Sequence, residues 1–332
     1  MNENKISSEE NTVETSSAKY SFPELLTVEP APHVKGKMTT RSLMLRVIIA
    51  LLPALAWGVY VFGIRALLLP VISAVACVLF EWASSALILR KKNTVSDLSA
   101  VVTGILIAMN VPSGFPIWML IVGDFFAIVI VKQLFGGIGK NIVNPALAAR
   151  VFLFAWPEEM TAFPSLDAVA SATPLVSLKD KAVEGLSLGD MFFGNISGCL
   201  GEVSTLLLLI GGIYLLLSKV ITWHIPVSYI ATVAILSFCF AGDAPNMTFM
   251  LMQLCAGGLA LGAFFMATDY VTSPVTPIGR IIYGVICGLL TVFFRFFGAN
   301  PEGVSYAILI ANLLVWYIDK YTLPRRFGGN VK

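Results

Sequence analysis

Charge is what this chain has least of: 13% of its 332 residues are Asp, Glu, Lys or Arg, about half the usual share in a soluble domain. A net charge of +2 offers no basic surface of the kind that draws nucleic acid, and the positive clusters serve better as topology signals. Histidine is nearly missing. His33 and His224 lie far apart, both near span ends, which argues against a bis-histidine haem in the membrane. The five cysteines, Cys77, Cys199, Cys239, Cys255 and Cys287, form no close pair of the sort iron–sulfur ligation uses, and read as small buried apolar residues. A nucleotide fingerprint is also lacking. Phe135-Gly136-Gly137-Ile138-Gly139 has neither the spacing nor the preceding strand of a phosphate loop.

What fills the chain instead is hydrocarbon, 57% of it by residue. A bilayer crossing takes about 20 apolar residues, and suitable runs recur from Leu43 to Ile318, about ten in all. Short cytoplasmic loops carry the Lys and Arg excess of a membrane protein. With the N-terminus inside, only Arg65, Lys179 and Lys181 of the 22 basic residues fall outside, and Arg150 and Arg295 lie in or beside spans. Both termini are therefore expected on the cytoplasmic side. Residues 1–40 are rich in Glu, Ser, Asn and Lys, too polar for a signal-peptide core, and read as a cytoplasmic arm.

The two halves echo each other. A short apolar segment, Leu98 to Met109, precedes Asn110-Val111-Pro112, then a span, then Gly139-Lys140-Asn141-Ile142-Val143-Asn144-Pro145. The second half answers with Met266-Ala267-Thr268-Asp269 and a Pro-rich run, a span, and Gly298-Ala299-Asn300-Pro301. The expectation is an all-α polytopic membrane protein of about ten transmembrane helices in two inverted five-helix repeats with broken helices. Its parts are an arm (1–40), a first repeat (41–156), an outward-facing loop (157–202), a second repeat (203–320) and a cytoplasmic tail (321–332). Broken helices at matching places mark a cavity or cofactor pocket, or a re-entrant loop that only packs.

The outward loop holds Asp167-Ala168-Val169-Ala170-Ser171-Ala172-Thr173-Pro174-Leu175. On its own Thr-Pro is an ordinary helix start, a hydroxyl cap followed by Pro at the first helical position. The setting adds a second meaning. Together with Val28-Glu29-Pro30-Ala31-Pro32-His33, the Gly136-to-Ala146 turn and Met266-Ala267-Thr268-Asp269-Tyr270, this stretch resembles the family that unites the D subunits of Rnf ion-translocating electron-transport complexes with the B subunits of sodium-translocating NADH:quinone oxidoreductases. Similarity runs from about Leu26 to Gly329, and the compact length resembles the Rnf members more.

The resemblance implies FMN esterified through its phosphate to Thr173, with Asp167, Ser171 and Ala172 forming the motif that a flavin transferase reads. Here Ala170 stands where the family carries a hydroxyl residue and Ser171 where Gly is common. It further implies a non-covalent riboflavin near Asn141 and Asn144. Asn144 reads equally as the cap of a helix opened by Pro145. The implied partners are the other membrane and peripheral Rnf subunits, including a second covalent-FMN subunit, in the bacterial cell (inner) membrane. The implied activity, an ion-translocating ferredoxin:NAD oxidoreductase, needs all of them. A tether suits the outer face, where no cytoplasmic FMN pool replaces a lost cofactor, and the flavin itself carries the electrons. Lys179 and Lys181 either offset the phosphate or are solvated.

Ionisable groups inside spans are costly and point to ion paths. Glu81, Asp124 and Asp269 are the candidates, with Arg150 and Arg295 as available counter-ions; structural pairing explains them equally. No catalytic residue and no metal ligand is expected. A channel or solute transporter without a redox cofactor is the alternative function, since inverted repeats with broken helices also suit permeation.

Overall fold

The computed structural model describes residues 39–89, 95–163, 174–179, 187–194, 196–202, 204–241, 247–298 and 301–323. Residues 1–38 of the N-terminal arm, His33 among them, and Asp167, Ser171, Ala172, Thr173 and Lys181 lie outside them. Among the described residues every regular element is helical and no strand occurs.

In the first half, α1 (Thr40–Phe62) and α2 (Arg65–Ser84) are joined by a tight turn at Gly63, whose φ of 79° suits glycine. A π-helical stretch, Ser85–Leu89, extends α2. Then come α3 (Ser99–Met109), α4 (Ile117–Phe125) continued by π-helical Phe126–Gln133, and α5 (Pro145–Leu153). Short helices α6 (Pro157–Met160), α7 (Pro174–Lys179) and α8 (Leu188–Phe193) follow. The second half comprises α9 (Thr205–Leu217), α10 (His224–Cys239), α11 (Met247–Cys255) and α12 (Leu259–Leu261, continued by π-helical Gly262–Met266). It ends with α13 (Pro277–Phe297) and α14 (Val304–Thr322).

Among the described residues three helices are long and apolar enough to cross a membrane, Thr40–Phe62, Arg65–Leu87 and Pro277–Phe297. The pair α11 and α12, bent by 65°, meets the same test as one broken span. Leucine, tryptophan and phenylalanine side chains lie exposed along these helices, among them Leu52, Leu79, Trp82 and Phe293. A soluble protein would bury them; lipid does not require it.

Small residues set the packing, because helices in lipid gain most from close approach. On α3, a Cβ at Gly104 would lie 2.7 Å from the Ala74 Cα and the Ser73 carbonyl oxygen of α2. Only glycine admits that contact. The α10–α13 seam uses the same device, with Gly284 and Gly288 one turn apart against Ser228 and Thr232.

The observed breaks differ from expectation in two places. The run Ile142 to Trp156 yields only Pro145–Leu153, because the Asn144 side chain accepts from Ala146 N and Leu147 N and starts the helix there. The run Met247 to Ala267 is interrupted within its apolar part, at Cys255–Gly258, where Gly257 takes φ +65°. Arg295 of α13 reaches into that gap. Its Nη1 donates to Gln253 O and Oε1, and its Nη2 to Ala256 O at 2.8 Å, satisfying carbonyls freed by the bend.

Candidate functional site: a cavity between the broken helices

A cavity of about 350 Å³ opens where α1, α3, the start of α5 and the end of α12 converge. Apolar side chains such as Leu106, Phe264 and Phe265 form most of its wall, with Lys132, Asn141, Asn144 and Asp269 as polar points. Its size falls in the range of about 300–1,000 Å³ common for small-molecule sites.

The polar groups differ in how far they are already used. Asn144 is engaged at both ends of its amide, accepting at its helix start and donating from Nδ2 to Met266 O at 3.2 Å. It thereby ties the head of α5 to the tail of α12. Thr103 and Thr268 spend their hydroxyl hydrogens on Ser99 O and Phe264 O in their own helices. The Tyr270 hydroxyl donates to Val220 O. Asn141 is the exception, for its Oδ1 is buried without a hydrogen-bond partner among the described residues. A buried acceptor left bare is costly, and the residue that carries it also lines the cavity.

Lys132 and Ser99 connect the cavity to a buried ion pair. Lys132 Nζ lies 3.1 Å from Glu81 Oε1 and donates to Ser99 Oγ at 2.6 Å. Gln133 Nε2 donates to Glu81 Oε1 at 3.1 Å. Lys132 and Gln133 can meet one carboxylate from consecutive positions because π-helical winding separates them less sharply than an α-turn does. Asp269, after α12, accepts from Val271 N and from Thr272 Oγ1 at 3.2 Å.

The partners are not those expected from the sequence. Glu81 pairs with Lys132, and neither arginine reaches Asp124, which lies 2.6 Å from Ser73 Oγ. Arg150 serves a second buried cluster. Its Nη1 donates to Asn110 Oδ1 at 2.6 Å, and its Nη2 sits 3.3 Å from Glu202 and 2.6 Å from Glu302. Cys199 Sγ and oxygens of Glu202 and Glu302 lie within 4.8 Å of one another, with the guanidinium supplying their positive charge. Lys132, Glu202, Glu302 and Ser73 escaped sequence reasoning. The one available signal was the four-residue spacing of Ser73, Cys77 and Glu81, which puts all three on one helix face.

Of the flavin motif, the described part begins at Pro174. Pro174, Leu175 and Leu178 are buried, and both leucines pack against Phe249, Met252 and Ala256 beside the α11–α12 bend. Lys179 Nζ donates to Gly298 O at 2.8 Å, so it is held by backbone. The cysteines are free thiols, all buried except Cys239, and His224 stacks on Trp223.

Helices too apolar for water, small-residue seams and a mostly apolar cavity with buried ions define an integral, polytopic membrane protein. Residues 27–328 match the NQR2, RnfD, RnfE family model, and the chain belongs to that family. It is 48% identical to the D subunit of the Na(+)-translocating ferredoxin:NAD(+) oxidoreductase complex of Acetobacterium woodii, covering 91% of this chain and 95% of that one. Identity to the D subunit of the proton-translocating ferredoxin:NAD(+) oxidoreductase complex of Clostridium ljungdahlii is 41%, over 92% and 96%. For the D subunit of the ion-translocating oxidoreductase complex of Methanosarcina acetivorans it is 38%, over 91% and 97%.

Proposed function

We propose that the chain is the D subunit of an ion-translocating ferredoxin:NAD oxidoreductase, a flavoprotein that passes electrons between partner subunits while Na+ or H+ crosses the membrane. It completes no reaction alone; ferredoxin and NAD are handled by other chains. The observation that carries the reading is a cavity with mostly apolar walls and a few polar points, Asn141 among them. An isoalloxazine presents large apolar faces and a polar pyrimidine edge, so walls such as Phe264 and Leu106 suit its faces and the Asn141 amide suits its polar edge. The residues therefore suit a riboflavin held without a covalent bond. When bound, such a ring supplies one-electron and two-electron transfer. Leu106, Phe264 and Asn141 would hold and orient it, with Lys132 and Asp269 also lining the cavity and Lys132 paired to buried Glu81.

FMN is proposed as a second flavin, esterified at Thr173 by a flavin transferase, on the outer face of a bacterial cell membrane with both termini inside. Ten spans in two inverted repeats suit this arrangement, with α3 and the α11–α12 pair as the matching broken helices. The partners are the remaining Rnf subunits, one of them also carrying covalent FMN. Glu81 and Asp269 flank the cavity and are proposed for the ion path.

Intact-mass measurement tests the proposal on chain made in cells that hold the transferase. Wild type should exceed its amino-acid mass by one FMN and fluoresce in a denaturing gel, and Thr173→Ala should do neither. Denaturation should also release riboflavin, less of it from Asn141→Leu. Wild-type chain free of both flavins and still active in solute uptake would favour the transporter instead.

A further inference from the structure

Away from the cavity, α2 turns Ser73, Cys77 and Glu81 toward α4, where Asp124 and Lys132 lie. Asp124 is 0% exposed. Its Oδ1 is 2.6 Å from Ser73 Oγ, and the same hydroxyl is 2.8 Å from Gly104 O on α3. A serine hydroxyl carries one hydrogen. A backbone carbonyl can only accept, so for both short contacts to be hydrogen bonds the serine hydrogen goes to Gly104 O. The 2.6 Å contact with Asp124 must then draw its hydrogen from the carboxyl. Oδ2 points the same way. It has no hydrogen-bond partner among the described residues, which suits the carbonyl oxygen of a neutral acid, whereas an anion with one bare oxygen in hydrocarbon is among the costliest arrangements available.

Among the described residues no positive charge is free to offset it. Lys132, on the same helix, is committed to Glu81 and Ser99, and Glu81 on α2 is itself acidic. The Cys77 thiol hydrogen-bonds the carboxyl, but it is a weak donor and brings no positive charge. From α3, Ser99 to Met109 brings no ionisable group, and Arg150 of α5 is turned to Asn110, Glu202 and Glu302.

We propose that Asp124 is a proton-binding site inside the membrane, a carboxylic acid that donates from Oδ1 to Ser73 while Ser73 donates to Gly104. The ligand is H+ and no larger cation, because a 2.6 Å oxygen–oxygen contact leaves nothing between the two atoms but hydrogen. Gly104 is part of the site. Its missing side chain lets α2 and α3 approach until its carbonyl captures the serine hydrogen. The inference stands on helix packing alone and is independent of any flavin in the cavity.

Infrared difference spectroscopy tests it on the purified full-length chain with whatever subunits accompany it, wild type minus Asp124→Asn at one fixed redox state. The expected result is a carboxylic-acid carbonyl band at neutral pH, present in wild type and missing from the variant. It should be unchanged when potassium replaces sodium. A difference showing only carboxylate bands, or an acid band that sodium abolishes, overturns the proposal. Asparagine mimics the neutral acid in shape and can donate its amide hydrogen to Ser73, so Asp124→Asn should accumulate at wild-type level. If it does not accumulate, Ser73→Ala decides. Loss of the acceptor should shift the acid band toward that of a free carboxyl, and an unshifted spectrum refutes the site.

Discussion

Replacing Lys132 by methionine keeps the length and apolar stem of the side chain and removes only its charge. Glu81, 0% exposed, then loses the ammonium 3.1 Å from its Oε1 and keeps the Gln133 amide as a neutral donor. Removing one member of a buried pair costs about 3–5 kcal/mol, chiefly because the other charge stays buried. With Gln133 still in place the lower end applies, and about 3 kcal/mol is about a hundredfold in the folded-to-unfolded ratio. The double variant Lys132→Met with Glu81→Gln leaves no charge to strand and should recover most of that loss. Denaturant unfolding of the detergent-solubilised wild type, both single variants and the double gives the coupling energy, expected at about 2 kcal/mol or more. If the two single losses simply add, the pair is not a buried electrostatic unit and the reasoning fails.

Two further substitutions probe the packing. Gly104→Ala places a methyl 2.7 Å from the Ala74 Cα and should lower stability by about 1–3 kcal/mol; a melting temperature equal to wild type would refute the close α2–α3 contact. Asn144→Ala removes a helix cap worth about 1 kcal/mol and takes from Met266 O its side-chain donor, leaving only the Asp269 N–H at 3.4 Å. It should therefore loosen both α5 and α12, seen as faster amide exchange at both, and exchange confined to α5 would refute the cross-tie.

Membrane character was legible because it depends on composition, which no tertiary detail can reverse. The short third helix was legible as well, Leu98 to Met109 against an observed Ser99–Met109, since Pro112 and Pro116 follow it closely. The bend at Cys255–Gly258 was not, because hydropathy runs through it unbroken and only Gly257-Gly258 hinted at a change of direction. Ion partners were the least legible. Glu81 meets Lys132 through a π-helical stretch that shifts the register of α4, and Arg150 meets Glu302 across 152 positions of sequence. Asn141 and Asn144 were both picked out, but as equals. The structure separates them: Asn144 is spent on the backbone, whereas Asn141 Oδ1 has no partner among the described residues.

The Arg295 clasp has a bearing on how the chain enters the bilayer. Gln253 O and Ala256 O find their donors about forty positions downstream, in a helix that a ribosome delivers only after α11 and α12 have left it. Until α13 arrives, a bent segment would bare those carbonyls to acyl chains at several kcal/mol each. Insertion therefore favours a straight hairpin arm first, and the elbow forms as a late event, when the incoming arginine trades its own hydration for that gap.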